Sequence, residues 1–257
     1  MAKEQAEARG KDVDPAPARR ASDRGRYGRL SRERVLASAL ELVDREGLSA
    51  LSMRRLGAEL GVEAMALYRY AASKDALLDG LVEALYLELE ERLAAEPEPE
   101  ASAAAAADAP AWRTGLHRVA RTMYDVCLTH PQAVPLLATR MLAVPLAQRP
   151  AAVLRNHERL LALLLEAGFD EATTAAVFRA FTAWLLGYVS VELQPMVDNP
   201  EEPDPAFRLG LHRMSPQELP RLRQAAPALA EPGGLEGLTA GLDALLDRLT
   251  RADRREQ

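Results

Sequence analysis

Between Ser52 and Lys74 the chain reads SMRRLGAELGVEAMALYRYAASK, and its chemically able side chains are cations and hydroxyls: Arg54, Arg55, Tyr68, Arg69, Tyr70 and Lys74. A guanidinium offers a planar fork of donors that fits the edge of guanine or a phosphate, an ammonium offers a point charge, and a phenol hydroxyl can bond a backbone oxygen. This chemistry suits contact with an anionic polymer that carries readable edges, and nothing in it makes or breaks bonds. The rest of the chain adds no reactive constellation. His117, His130, His157 and His212 form neither a His-x-x-x-His nor a His-Glu-x-x-His pattern, and a lone cysteine, Cys127, argues against a Cys/His zinc site. No glycine-rich phosphate loop, nucleophile elbow or nucleotide fingerprint is present. The expectation is therefore no catalytic residue, no metal site and no cofactor.

Such contacts need elements to hold them. Ser52 precedes an apolar-periodic run, where its hydroxyl can accept a bond from an unpaired helix-start N–H. Leu56, Leu60 and Val62 supply a buried stripe, and Gly61 stands where the helix must stop, since glycine enters the left-handed region at little cost. The chain restarts at Glu63, in a first turn that favours negative charge. The second helix, read over 64–70, turns Leu67 inward and leaves Ala64, Met65, Ala66, Arg69 and one face of Tyr68 outside. Small residues at its start let its backbone press into a major groove. Lys74 sits beside Ser73, the expected cap of the next helix, which places a cation and open N–H groups together where a phosphate would lie. Upstream, Ser31 opens a helix with Val35, Leu36, Ala39, Leu40 and Val43 on one face, ending at Glu46-Gly47. Three helices of this kind can close a small core.

From Arg34 to Leu81 the residues RVLASALELVDREGLSALSMRRLGAELGVEAMALYRYAASKDALLDGL resemble the N-terminal pattern of the TetR family of bacterial transcriptional repressors. Glu46-Gly47-Leu48, Arg55-Leu56, Leu60-Gly61-Val62, Leu67-Tyr68, Ser73-Lys74 and Ala76-Leu77-Leu78 occur in the family's order and spacing. The Gly61-Val62-Glu63 start of the recognition helix, with Ala76-Leu77-Leu78-Asp79, looks like the branch that includes the tetracycline repressors. The resemblance implies that residues matching Met53, Tyr68, Tyr70 and Lys74 contact phosphates, and that those matching Arg54, Ala64, Met65 and Ala66 approach bases. Ser52 and Arg69 complete the expected DNA-binding set.

The chain has 257 residues, 48% of them hydrophobic, enough for a real core. It contains no unbroken apolar run of membrane-spanning length and starts with a polar, charged segment, so no membrane span or secretory signal is expected and a cytoplasmic protein is. A net charge of −6 looks wrong for a DNA binder until its distribution is considered. Residues 19–80 hold 12 Lys+Arg against 9 Asp+Glu, whereas residues 81–257 hold 17 against 25. Arg19, Arg20, Arg24, Arg26, Arg29, Arg32 and Arg34 crowd the approach to the first helix, and such an arm can add phosphate or minor-groove contacts. With only three lysines against 29 arginines, the same bias also reads as a GC-rich genome. Residues 1–28, rich in Ala, Pro and charge, are expected to be a disordered basic arm. Cys127, between Val126 and Leu128, reads as a buried thiol.

The remaining periodicity predicts helices near 74–95, 111–129, 134–142, 150–167, 171–193, 216–228 and 234–251, with a linker at about 96–110 and no strand pair. The fold class is therefore all-α: a three-helix helix-turn-helix domain over 29–80 joined to a helical effector-binding and dimerisation domain over 81–257. Two helices, near 171–193 and 234–251, are more apolar than one solvated face allows. In the resembling family, helices in these positions form a four-helix dimer interface, which suits a twofold-symmetric operator.

The resemblance continues through Trp112, Ala138-Thr139-Arg140, Glu166-Ala167-Gly168-Phe169 and Leu186-Gly187, and departs from the tetracycline pattern at one point. Leu136 stands where tetracycline repressors carry a metal-coordinating histidine, and Val119 and Met123 replace a polar and an aromatic drug contact. A hard magnesium–tetracycline chelate wants oxygen and imidazole ligands that this region does not offer. An apolar or aromatic effector fits Met123, Leu136, Trp184 and Tyr188, with Thr139 and Arg140 as polar anchors. Met and aromatic residues at helical spacing also make ordinary core. The resulting expectation is a homodimeric, effector-responsive repressor of a double-stranded operator. The competing readings are a helical interaction protein that kept the fold without specific DNA binding, and an enzyme or metal-dependent sensor in the C-terminal core.

Overall fold

The computed structural model describes residues 30–95, 110–198 and 201–256, apart from Leu209, Met214 and Pro216. The arm at 1–28 and the linker expected at 96–110, except Pro110, lie outside the described residues. Eleven α-helices follow from Ser31 onward and no strand occurs among the described residues.

Three serines start helices as their spacing requires. Ser31 accepts the N–H of Arg34 (3.2 Å) and opens α1, Arg32–Glu46. Ser52 accepts the N–H of Arg55 (3.1 Å) and opens α2, Met53–Leu60. Ser73 accepts the N–H of Ala76 (3.0 Å) and opens α4, Lys74–Ala95. Each bond satisfies a donor that the first helical turn would otherwise leave unpaired. Between α2 and α4 lies α3, a single turn at Ala64–Leu67. Its brevity corrects the helix read over 64–70. Tyr68 ends it, and the chain then turns so that Ala71 (4% exposed) enters the core before Ser73 caps α4.

Val35, Ala39, Leu42, Val43, Leu56, Leu67, Leu77 and Leu81 form the buried centre of this N-terminal domain. α4 is both its last helix and the first of the C-terminal domain, since it packs on α1 and also on three helices further along the chain. These are α5 (Ala111–Thr129), α6 (Val134–Ala143) and α7 (Ala151–Glu166). The long α8, Glu171–Asp198, extends past the expected end at 193 and packs on α5, α6, α7 and α11. α9 is a single turn at Pro205–Arg208. α10 covers Pro220–Ala230 rather than 216–228, with Pro220 at the first helical position, where its fixed φ suits the helix and its missing N–H costs nothing. α11 runs from Gly234 to Glu256. α8 and α11 meet closely because Gly237 and Gly241 leave room for aromatic rings: a Cβ on Gly241 would lie 2.2 Å from Cζ2 of Trp184, and one on Gly237 2.6 Å from the Tyr188 hydroxyl.

Over Glu171–Val197, α8 is long and apolar enough by length and composition to cross a membrane, a property that a search for unbroken apolar runs misses because Arg179 and Glu192 interrupt it. Only 28% of that window is buried within the chain.

Candidate nucleic-acid interface and effector core

The α2–α3 corner is built by two glycines. Gly61 ends α2 in the left-handed conformation (φ 67°, ψ 29°), and its N–H and that of Val62 bond back to Ala58 and Gly57 carbonyls. Gly57 lets the next element come close, since a Cβ there would sit 2.8 Å from the Val62 carbonyl oxygen and 3.2 Å from the Ala64 nitrogen. α3 is thus pressed against α2, with Leu67 (0% exposed) as its anchor.

What this corner exposes is close to the sequence-read set. Ser52, Arg54, Met65, Tyr68, Arg69 and Lys74 are exposed, and Ala64, Ala66 and Tyr70 are partly so. Arg54, Arg69 and Lys74 enter no ion pair among the described residues. Arg55 is different: it grips both oxygens of Glu46 on α1 (3.1 and 2.5 Å) and reaches Glu59 at 3.3 Å. That guanidinium holds the Glu46 carboxyl below its usual range and ties α2 to the end of α1. Met53 is the correction within the set. The residue is 9% exposed and packs in the stripe Met53, Leu56, Gly57 and Leu60.

Further along the chain, the six residues read as effector contacts lie in different settings. Met123 and Leu136 are both 1% exposed in the apolar core. The exposed Thr139 donates its hydroxyl proton to the Pro135 carbonyl at 2.8 Å. Arg140 faces the start of α4, bonding Asp79 at 2.7 Å and Asp75 at 3.3 Å. Trp184 and Tyr188, 5.6 Å apart, turn to α11, where the Tyr188 hydroxyl donates to the Gly234 carbonyl at 2.6 Å. Burial pushes that phenol up to about 12 and the Cys127 thiol also up to about 12, and the thiol is buried as expected.

Sequence reasoning passed over three other residues. Asn156 and His157 on α7 and Thr174 on α8 are 5%, 5% and 3% exposed, and Asn156 Oδ1, both ring nitrogens of His157 and Thr174 Oγ1 have no hydrogen-bond partner among the described residues. Burial, and secondarily Arg149, lowers the His157 imidazole to about 4, so it is neutral at physiological pH. It stacks edge-on with Phe178, 5.1 Å away and one helical turn from Thr174. The signal was present, since Asn156 and His157 interrupt the apolar stripe Ala152, Val153, Leu160 and Leu164.

A second histidine bridges the two domains. At the end of α5, His130 places Nδ1 2.7 Å from Asp44 of α1 and Nε2 2.8 Å from Glu88 of α4. Arg92 bonds Glu88 and also Thr129. The Asp44 carboxylate, and then Glu88, holds this imidazole above its ordinary value.

A capped helix, a glycine turn and a short exposed helix, mounted through α4 on a separate helical core, define a helix-turn-helix protein with a C-terminal helical domain. Residues 35–81 match the model of bacterial regulatory proteins of the tetR family, and residues 106–250 match the tetracyclin repressor-like C-terminal domain. The chain belongs to the TetR family. It is 33% identical over 163 residues to an HTH-type transcriptional regulator of Saccharopolyspora erythraea, an alignment spanning 63% of this chain and 61% of that protein. It is 26% identical to the class C tetracycline repressor of Escherichia coli, across 88% of this chain and 95% of that one. A possible TetR family transcriptional regulator from Streptomyces coelicolor A3(2) shares the fold with a TM-score of 0.67 at 25% identity, covering 86% of this chain and all of that one.

Proposed function

We propose that this chain is an effector-responsive transcriptional repressor that binds a palindromic double-stranded operator as a homodimer. The observation that carries the reading is the α2–α3 corner, which buries Leu67 and Met53 while exposing Arg54, Met65, Tyr68, Arg69 and Lys74. Arg54 is the residue suited to a bidentate contact with guanine, worth about 1–3 kcal/mol of discrimination, and Lys74 supplies a phosphate contact. The test is a salt titration of the purified protein on its own promoter DNA. A DNA binder shows a steep negative log–log slope. Arg54→Ala relaxes sequence preference, and Lys74→Ala weakens cognate and scrambled DNA alike and flattens the slope by about one unit. A flat salt dependence would instead favour a helical interaction protein without DNA binding.

The dimer reading rests on α8 and α11. Along α8 the exposed positions Ala183, Gly187 and Val191 form a small, apolar stripe, and Ala240 and Ala244 are exposed on α11. Val191 is 77% exposed. A second copy packed there would remove from water the face that gives α8 its membrane-like composition, and a twofold operator requires two reading surfaces about 34 Å apart.

For the effector, the polar anchors move from Thr139 and Arg140, which are engaged or exposed, to Asn156, His157 and Thr174. Buried polar groups without partners are rare in folded proteins, and a ligand that pairs them recovers the cost. With His157 neutral, the suitable effector is uncharged, with hydroxyl or carbonyl groups. A magnesium–tetracycline chelate does not fit, because the buried hydrocarbon Leu136 replaces its metal ligand and no metal-binding cluster of His, Cys, Asp or Glu occurs among the described residues. Effector binding shifts the balance between domain arrangements through α4, which Arg140 holds from α6 and His130 from the end of α5.

A further inference from the structure

Resting on the operator-binding reading above, we infer that the base met by Met65 is thymine. On α3 each residue advances about 100° around the axis, so Met65, two positions before the buried Leu67, points about 200° from the core. It is 76% exposed, and with Val191 it is one of the two most exposed large apolar side chains among the described residues. Val191 lies on the stripe assigned to the second copy. Met65 lies on the surface assigned to DNA.

Its neighbours sharpen the assignment. Ala64 and Ala66 add only methyl groups on either side, so the α3 backbone can approach a groove closely while the unbranched Met65 side chain reaches furthest. A thioether donates no hydrogen bond and accepts only weakly. In the major groove, the N7, O6, N6, N4 and O4 positions all demand polar partners, and the one apolar group any base pair presents is the C5-methyl of thymine. Set against a guanine or adenine edge, Met65 would bury polar atoms without partners. Set against thymine, it buries a methyl group. Arg54 and Met65 therefore divide the half-site, with guanine read by hydrogen bonds and thymine by hydrophobic contact.

The test begins with full-length protein and a randomised duplex pool, from which the bound sequence is enriched. Each dT in the enriched duplex is then replaced by dU, which deletes the methyl and leaves every hydrogen-bonding group in place. The expected loss at one position per half-site is about fourfold, the cost of un-burying one methylene-sized group, and about fifteenfold when both half-sites are changed. Met65→Ala should abolish this dT/dU difference, Met65→Leu should retain most of it, and Arg54→Ala should leave it intact. Because Met65 is exposed, these variants keep the wild-type melting temperature. A dU effect that persists undiminished in Met65→Ala, or no dU effect anywhere in an enriched duplex, overturns the assignment while leaving operator binding standing. Failure to enrich any sequence overturns operator binding itself, and the assignment with it.

Discussion

The junction at His130 yields a quantitative test of how the two domains are held together. Its two ring nitrogens sit 2.7 and 2.8 Å from carboxylates on different helices, and both can donate only when the ring is an imidazolium. A neutral ring has one N–H, so one of Asp44 and Glu88 would then face a lone pair. Asp44 has little to fall back on, because its other oxygen is buried without a partner. The side chains of His130, Asp44 and Glu88 are 13%, 27% and 26% exposed, between the buried and surface cases. Hydrogen bonds to charged groups contribute about 1.5–3 kcal/mol each when shielded, and exposed pairs contribute about 0.2–1 kcal/mol, so His130→Gln should cost about 2 kcal/mol. Its folded-state value is raised above 6.5, so the stabilisation is fully present below 6.5 and is lost as pH climbs through the raised value. Urea unfolding of wild type and His130→Gln across a pH series should show a gap that is widest in mild acid and closes toward alkaline pH. A gap that is constant with pH, or grows as pH rises, would refute the bridging-imidazolium argument.

Other outcomes follow from backbone and packing. Gly61→Ala should destabilise by about 1–2 kcal/mol in thermal melts: nothing lies within 4 Å of the new Cβ, so the cost is that of the left-handed conformation alone, and Gly61→Asn should recover part of it. Gly241→Val should cost about 1–3 kcal/mol by driving branched methyls into the Trp184 ring, seen as lower stability with altered tryptophan fluorescence. Asp79→Asn, which weakens the Arg140 link between α4 and α6, should leave DNA affinity without effector near wild type and reduce the drop that effector causes; an unchanged drop would exclude this route.

The elements legible in the sequence were those with local causes. Ser31, Ser52 and Ser73 cap helices through bonds to a residue three positions on, and Gly61 ends one through its own φ, so short-range reasoning reached them. The burial of Met53 was also legible, because it falls on the i, i+3, i+4, i+7 stripe of α2. The end of α3 was not. It is decided by Ala71, which must reach a core made by distant helices. The contacts that join the domains were out of reach for the same reason: His130 meets Asp44 across 86 positions and Arg140 meets Asp79 across 61. Helical periodicity shows that Arg140, Trp184 and Tyr188 share faces with apolar neighbours. It does not show whether the opposing surface is a ligand, α4 or the glycines of α11.

The single-turn α3 has a consequence for how such a protein changes its target. A lone helical turn has no stability of its own, and here it is held from outside by Leu67, by the close approach at Gly57 and by the turn at Gly61. Met65, about 160° round the helix from Leu67 and 76% exposed, points away from that packing, so exchanging it leaves the core intact, whereas Ala64 lies on the Leu67 face and close to Gly57. The outermost side chain and the anchor of the fold are thereby different residues on the same four-residue helix. A duplicated copy of this gene can therefore change the outermost side chain of α3 at a single codon while the anchor at Leu67 is inherited unaltered.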